Sequence, residues 1–242
     1  MRDLSRVNAK YWLVLVAASI FGTNTGDLLA DDLGYGHFRG LPLLIILFAA
    51  ILTAQRFTRL STMIFFWAGI ITVRTAATNV GDGFWDHGIT YRYSIPAIAI
   101  AMLAAATAYA MRRTANPPPE GTLRTDALYW LCMLLAGILG TLCGDYVSFS
   151  LDLGLPLSTL IWSAAVAAMF LVWKQEQLRM PYLYWLTVVL IRSAGTAAGD
   201  LFAEIGGLRL STLLTGLIFW LLVIFFYERQ KTNVVRTDAA AS

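Results

Sequence analysis

Long apolar runs alternate with short polar breaks along this chain. The runs last about 17–25 residues, the length that carries an α-helix across a hydrocarbon core of roughly 30 Å. They predict eight helices, near residues 11–33, 41–56, 62–86, 94–111, 127–150, 156–173, 182–205 and 210–227, the second being short. Polar positions inside the odd-numbered runs are ordered. The pattern Trp-x9-[Gly/Ala]-Thr-x-x-Gly-Asp occurs four times at one internal spacing. Its copies are Trp12, Thr23, Gly26 and Asp27; Trp67, Thr78, Gly81 and Asp82; Trp130, Thr141, Gly144 and Asp145; and Trp185, Thr196, Gly199 and Asp200. An acid inside an apolar helix is costly to keep, so four in register point to one shared polar site.

The Trp positions are 55, 63 and 55 residues apart, and the longer interval holds Thr114-Ala-Asn-Pro-Pro-Pro-Glu-Gly-Thr122, which cannot continue a helix. The chain therefore reads as two halves, 10–113 and 127–228, joined by a proline-rich linker at 114–126 and followed by a disordered tail at 229–242. Each half is two two-helix repeats (10–57 and 60–113; 127–175 and 180–228). Arg74 and Arg192 stand eight residues before the motif Asp in repeats two and four, where repeats one and three have Ser19 and Gly137. Two helices per repeat make all four repeats enter the membrane in one direction, so they are parallel copies about an axis along the membrane normal. The fold class is all-α, polytopic, with eight transmembrane helices. Thirteen of the eighteen basic residues fall on the side of the termini, among them Arg2, Arg6, Arg59, Lys174 and Arg179, against Arg39, Arg92 and Arg209 opposite. The positive-inside rule then places both termini in the cytoplasm.

Composition narrows the function classes. A hydrophobic share of 58%, 14% charged residues and a mean hydropathy of +0.64 describe a membrane protein whose partner is the lipid bilayer. Arg2, Arg6 and Lys10 before an apolar run imitate a secretory signal, but Trp12 to Asp27 is the unit found three times more, so it is the first transmembrane helix. The net charge of +3 belongs to cytoplasmic loops, and no nucleic-acid role follows from it. Cys132 and Cys143 lie on one helix about 16 Å apart, too far for a disulfide. With only His37 and His87 there is no Cys/His zinc cluster. Catalytic signatures and cofactor motifs are missing, so the chain reads as a non-enzyme without cofactor.

At 100° per residue, Trp, Arg, Thr and Asp at −15, −8, −4 and 0 share an arc of about 80°, giving each odd-numbered helix one polar stripe facing the bundle interior. Asp31, Asp86 and Glu204 extend three stripes at +4, and Phe149 interrupts the third. Fifteen residues from an interfacial Trp put each motif Asp about 22 Å across, toward the extracytoplasmic side. Duller explanations exist for each element. Tyr11-Trp12 and its copies suit an aromatic belt or packing, Gly and Thr suit close helix packing, and Arg74 and Arg192 suit buried ion pairs with two of the acids. On the ion-pair reading, Asp82→Asn and Asp200→Asn, which strand an arginine, damage folding more than Asp27→Asn or Asp145→Asn.

Four carboxylates and two guanidiniums leave a formal −2 in a low-dielectric cavity, matched by a divalent cation, two monovalent ones or protons. Oxygen-only ligands favour hard ions. The expected function is transport of a divalent metal cation, either alone or coupled to protons. Asp27, Asp82, Asp145 and Asp200 would serve as metal ligands or proton carriers, Thr23, Thr78, Thr141 and Thr196 as oxygen contacts, and Arg74 and Arg192 as electrostatic tuners. The same groups also suit a small organic zwitterion or anion anchored by Arg74 and Arg192, or a non-transporting scaffold.

The four-fold pattern, with Trp12, Trp67, Trp130 and Trp185 in register over residues 10–228, resembles a family of bacterial inner-membrane proteins of unknown function. Its members have four tandem repeats of two transmembrane segments, each repeat with a characteristic Trp. The resemblance implies eight spans and a bacterial plasma membrane. The Gly-Asp step is also similar to the Glu-x-Gly-Asp-Lys-Thr motif of manganese- and calcium-type cation/proton antiporters, although the leading Glu and trailing Lys-Thr are absent here.

Overall fold

The computed structural model describes residues 7–57, 62–118, 122–172 and 181–240. Among them are eight helices: α1 (Ala9–Asp27), α2 (Leu41–Phe57), α3 (Thr62–Asp86), α4 (Tyr91–Ala115), α5 (Ala127–Asp145), α6 (Gly154–Val172), α7 (Pro181–Gly206) and α8 (Leu208–Ala240). Seven are long and apolar enough to cross a membrane, while α2 offers a shorter apolar stretch, Leu41–Gln55. At 17 residues α2 is about 25 Å long, at the lower end of what spans. Arg2, Arg6, Arg59, Lys174 and Arg179, which carry part of the charge asymmetry, lie outside the described residues, as do 119–121 of the linker and 241–242 of the tail.

Helix starts follow local chemistry. The Asn8 and Asp126 side chains accept hydrogen bonds from Tyr11 N and Tyr129 N at 3.1 Å, capping α1 and α5 in the same register of repeats one and three. Two helices reach their expected ends through a π-turn, and one runs past its expected end. A π-turn, Leu28–Asp32, continues α1 and another, Tyr146–Ser150, continues α5, closed by Leu33 N to Leu28 O and Leu151 N to Tyr146 O. At the far end, α8 runs on to Ala240 where a disordered tail was expected from 229. No Gly or Pro follows Gly216, so nothing in the backbone forces the helix to stop.

The architecture is a ring of the four motif helices with a second helix outside each junction. α1 packs on α3 and α7, and α5 packs on α3 and α7. Contacts that cross from one half of the chain to the other (α3 on α5, α7 on α1) are thus of the same kind as those within a half. The outer helix of each repeat lies on the motif helix of the next: α2 on α3, α4 on α5, α6 on α7, and α8 back on α1. That last contact closes the ring.

Small residues of the motif make each junction. The Gly before every Asp faces the motif Thr of the following repeat, so that a Cβ there would come within 2.9 Å of Thr78 from Gly26, 2.7 Å of Thr141 from Gly81, 2.9 Å of Thr196 from Gly144 and 3.2 Å of Thr23 from Gly199. One turn earlier the same pairing recurs between positions −5 and −8: Gly22 on Arg74, Ala77 on Gly137, Gly140 on Arg192 and Gly195 on Ser19. These eight contacts explain why small residues return at fixed spacing. Positions −5 and −1 flank the polar stripe on one side, and bulk there would push the neighbouring backbone away.

Below the ring the motif aromatics form a buried plug. Tyr11, Trp12, Phe66, Trp67, Tyr129, Tyr184 and Trp185 are each at most 3% exposed, and Tyr109 and Phe219 join them from α4 and α8. Of the belt and packing readings, the packing one describes these rings: they face one another, with centroids 4.9–6.2 Å apart. The Tyr11 hydroxyl lies 2.7 Å from that of Tyr184 and 3.5 Å from that of Tyr129. Tyr11→Phe, which leaves Tyr184 without this partner, should lower stability by about 1–3 kcal/mol in denaturant unfolding. Phe66→Tyr, at the equivalent place in repeat two, should not raise it by a comparable amount.

Candidate functional site

At the end of the ring away from the N-terminus and the linker, the four C-terminal ends of the motif helices surround a cavity of about 470 Å³. Asp27, Asp82, Asp145 and Asp200 all line it, and so do Thr23, Thr78 and Thr196. The sequence stripe is therefore assembled as expected, with one acid from each repeat at the floor. Asp145 is 8% exposed, and each of the four acids comes from a different helix. Carboxyls gathered in one cavity of low dielectric disfavour one another's charge, so protons or cations are its natural occupants.

Directly beneath the acids lies Arg74, fully buried on the ring's axis. Its Nη2 donates to Thr23 Oγ1 and Thr196 Oγ1, each at 2.6 Å, and its Nη1 to Thr141 Oγ1 at 2.8 Å. Longer bonds run from Nε to Ser19 O (3.4 Å) and from Nη1 to Gly137 O (3.3 Å). The guanidinium thus ties three repeats together through their motif threonines. Thr23 and Thr196 can accept from it because their own hydroxyls donate one turn back, to Ser19 O and Arg192 O. The fourth, Thr78, belongs to the same helix as Arg74. Its buried hydroxyl has no partner among the described residues.

This corrects the ion-pair expectation. Among the described residues neither Arg74 nor Arg192 comes within 4.0 Å of an acid. Eight residues is a little over two helical turns, about 12 Å along the axis, so an arginine at −8 cannot easily reach the Asp of its own helix. The predicted special sensitivity of Asp82 and Asp200 falls with it. Arg192 is also fully buried, but its one bond is from Nη2 to Met133 Sδ at 4.0 Å, and its Nε and Nη1 have no protein partner among the described residues. Neither arginine lines the cavity.

Asp31 and Asp86 stand at the mouth, about half to two-thirds exposed, while Glu204 is outside the cavity lining. His37, on the loop between α1 and α2, reaches across to Asp86 at 2.5 Å, with Asp31 at 3.9 Å and Asp82 at 4.0 Å. Sequence reasoning missed it because a loop has no periodicity to reveal which way a side chain turns. The neighbouring Phe38 holds that loop in place against Gly83 and the His87 ring. Trp85, Tyr91 and Phe149 complete the wall, and the first two stack with centroids 5.0 Å apart. Among the described residues no three His, Cys, Asp or Glu side chains are grouped closely enough to hold a metal ion. The four expected metal ligands share a cavity but do not converge on a point.

Fold and site together define an integral-membrane bundle of tandem two-helix repeats enclosing one polar cavity. The repeat can be named. A family model described as Repeat of Unknown Function (DUF347) matches residues 10–61, 128–177 and 183–229, and the chain belongs to this family. The second repeat, outside those matches, carries the same motif and takes the same place in the ring. No curated protein and no solved structure matches the chain.

Proposed function

We propose that the chain is a multi-pass transporter of a bacterial plasma membrane, with both termini cytoplasmic, and that it carries cations through the Asp27, Asp82, Asp145 and Asp200 cavity in exchange for protons. The observation that carries this reading is the cavity itself, whose floor takes one acid from each repeat and whose lining includes no Lys or Arg among the described residues. Such a floor is neutralised by cations or by protons, and a protein that alternates between the two couples their movements. The threonine-held Arg74 and the aromatic plug close the cavity on the side of the termini, as one state of an alternating-access cycle requires. Carboxyl and hydroxyl oxygens suit a hard divalent metal ion, provided the four acids draw together around it. The rival reading of a zwitterion or anion held by Arg74 and Arg192 loses its support, because both guanidiniums lie outside the cavity.

The test is ion movement in proteoliposomes loaded with a pH indicator. Adding a transported cation on the cavity side should change internal pH, and Asp82→Asn with Asp145→Asn should slow the response at least 10-fold while the melting curve persists. If no inorganic or organic cation moves protons through the folded protein, the transport reading fails.

A further inference from the structure

Resting on that cation reading, we infer that the cavity is built for an aliphatic di- or polyammonium ion. Three observations lead there. First, the acids come in two tiers. The floor holds the four motif acids, and one helical turn above it, about 6 Å along the continuous α-helix from Asp82 to Asp86, the mouth holds Asp31 and Asp86. That separation is the span of a four-carbon diamine. A lone metal ion would use one tier and leave the other idle.

Second, the wall beside the mouth acids is aromatic. Trp85 and Tyr91 stack on each other at 5.0 Å with planes 17° apart, and Phe149 occupies the third repeat's +4 position where the first two repeats have acids. Aromatic faces suit methylene groups and attract ammonium centres. At about 470 Å³ the cavity has the volume of an organic-ligand site.

Third, the floor keeps one acceptor in reserve. Arg74 engages Thr23, Thr141 and Thr196 but not Thr78, which lines the cavity, is 1% exposed and has no partner among the described residues. A primary ammonium carries N–H donors that a bare metal ion lacks. Docked beside Asp82 it would donate to that hydroxyl and to the carboxyls around it. The second ammonium would then lie at the mouth between Asp31 and Asp86, displacing the His37 contact to Asp86.

The experiment is thermal stability of the full-length detergent-purified protein titrated with 1,4-diaminobutane, 1-butylamine, Mg²⁺ and Mn²⁺. The diamine should raise the melting temperature at a concentration at least 10-fold lower than butylamine. Asp31→Asn with Asp86→Asn should erase that advantage while leaving the butylamine response in place. These acids are half-exposed, so the variant should fold. Thr78→Val, which keeps the shape packed against Gly26, should weaken both amines by several-fold. Equal potency of diamine and butylamine, or an unchanged diamine response in the mouth variant, overturns the inference. A response to Mg²⁺ or Mn²⁺ alone overturns it too but leaves the cation reading standing. Silence to all four probes removes both.

Discussion

Gly195→Ala should prevent the bundle from assembling stably, at a cost of about 3 kcal/mol or more, the upper range for forcing a methyl group into a packed site. The added Cβ would meet Ser19 Cβ at 2.5 Å and the Ser19 carbonyl carbon at 3.0 Å, so α1 or α7 has to move as a body. A rotamer change cannot relieve it. Gly140→Ala is the same test at the α5–α7 junction, where the new Cβ would stand 2.9 Å from the Arg192 carbonyl carbon. Gly206→Ala provides the control, since nothing lies within 4 Å of the added atom and helix propensity alone makes the change neutral or favourable by up to about 1 kcal/mol. Melting temperatures of the three variants decide the matter. If Gly195→Ala melts with wild type, the motif glycines are not what holds the ring together.

Arg74→Met carries the second large effect. The substitution removes the hydrogen bonds that link three repeats and the positive charge nearest the acid floor. Replacing a buried charge by an apolar side chain of similar length can be harmless when its whole network goes with it. Here the acids remain, so the balance tips toward loss, and about 3–5 kcal/mol is expected at neutral pH. The sign of the electrostatic part can be read separately. Adding Asp82→Asn to Arg74→Met should recover a portion of the loss, because one uncompensated carboxylate disappears. Arg74→Met with the stability of wild type would mean that the acids do not depend on the guanidinium.

Periodicity and length were enough to read the helices. Expected and observed spans agree within a few residues wherever a polar break or a capping side chain marks the end, as Asn8 and Asp126 do. The α4 start came out at Tyr91 and not 94, which puts Pro96 inside the helix as its sixth residue, beyond the first turn where proline is tolerated. The motif stripe also gave the cavity floor correctly, because 3.6-residue geometry fixes which residues share a face. What periodicity cannot fix is the neighbour. Nothing in the spacing told that Gly26 meets Thr78, or that Arg74 would choose three threonines over an acid. Those outcomes depend on how four helices turn about one axis. The aromatic residues stayed undecided between belt and packing for a related reason: Tyr and Trp near a helix end suit a lipid interface and a closed plug equally well, and only the ring's tight junctions select the plug. His37, held by Phe38 packing, had no sequence signal at all.

Isothermal titration of the purified protein with 1,4-diaminobutane, Mg²⁺ and Mn²⁺, each in two buffers of different ionisation enthalpy, tests the central claim most directly, because it counts protons released per cation bound. The account predicts that at least one of these cations binds with net proton release, and that Asp82→Asn with Asp145→Asn lowers both affinity and the proton count. Binding with no proton release, or binding indifferent to those two substitutions, would contradict a carboxyl cavity that exchanges cations for protons.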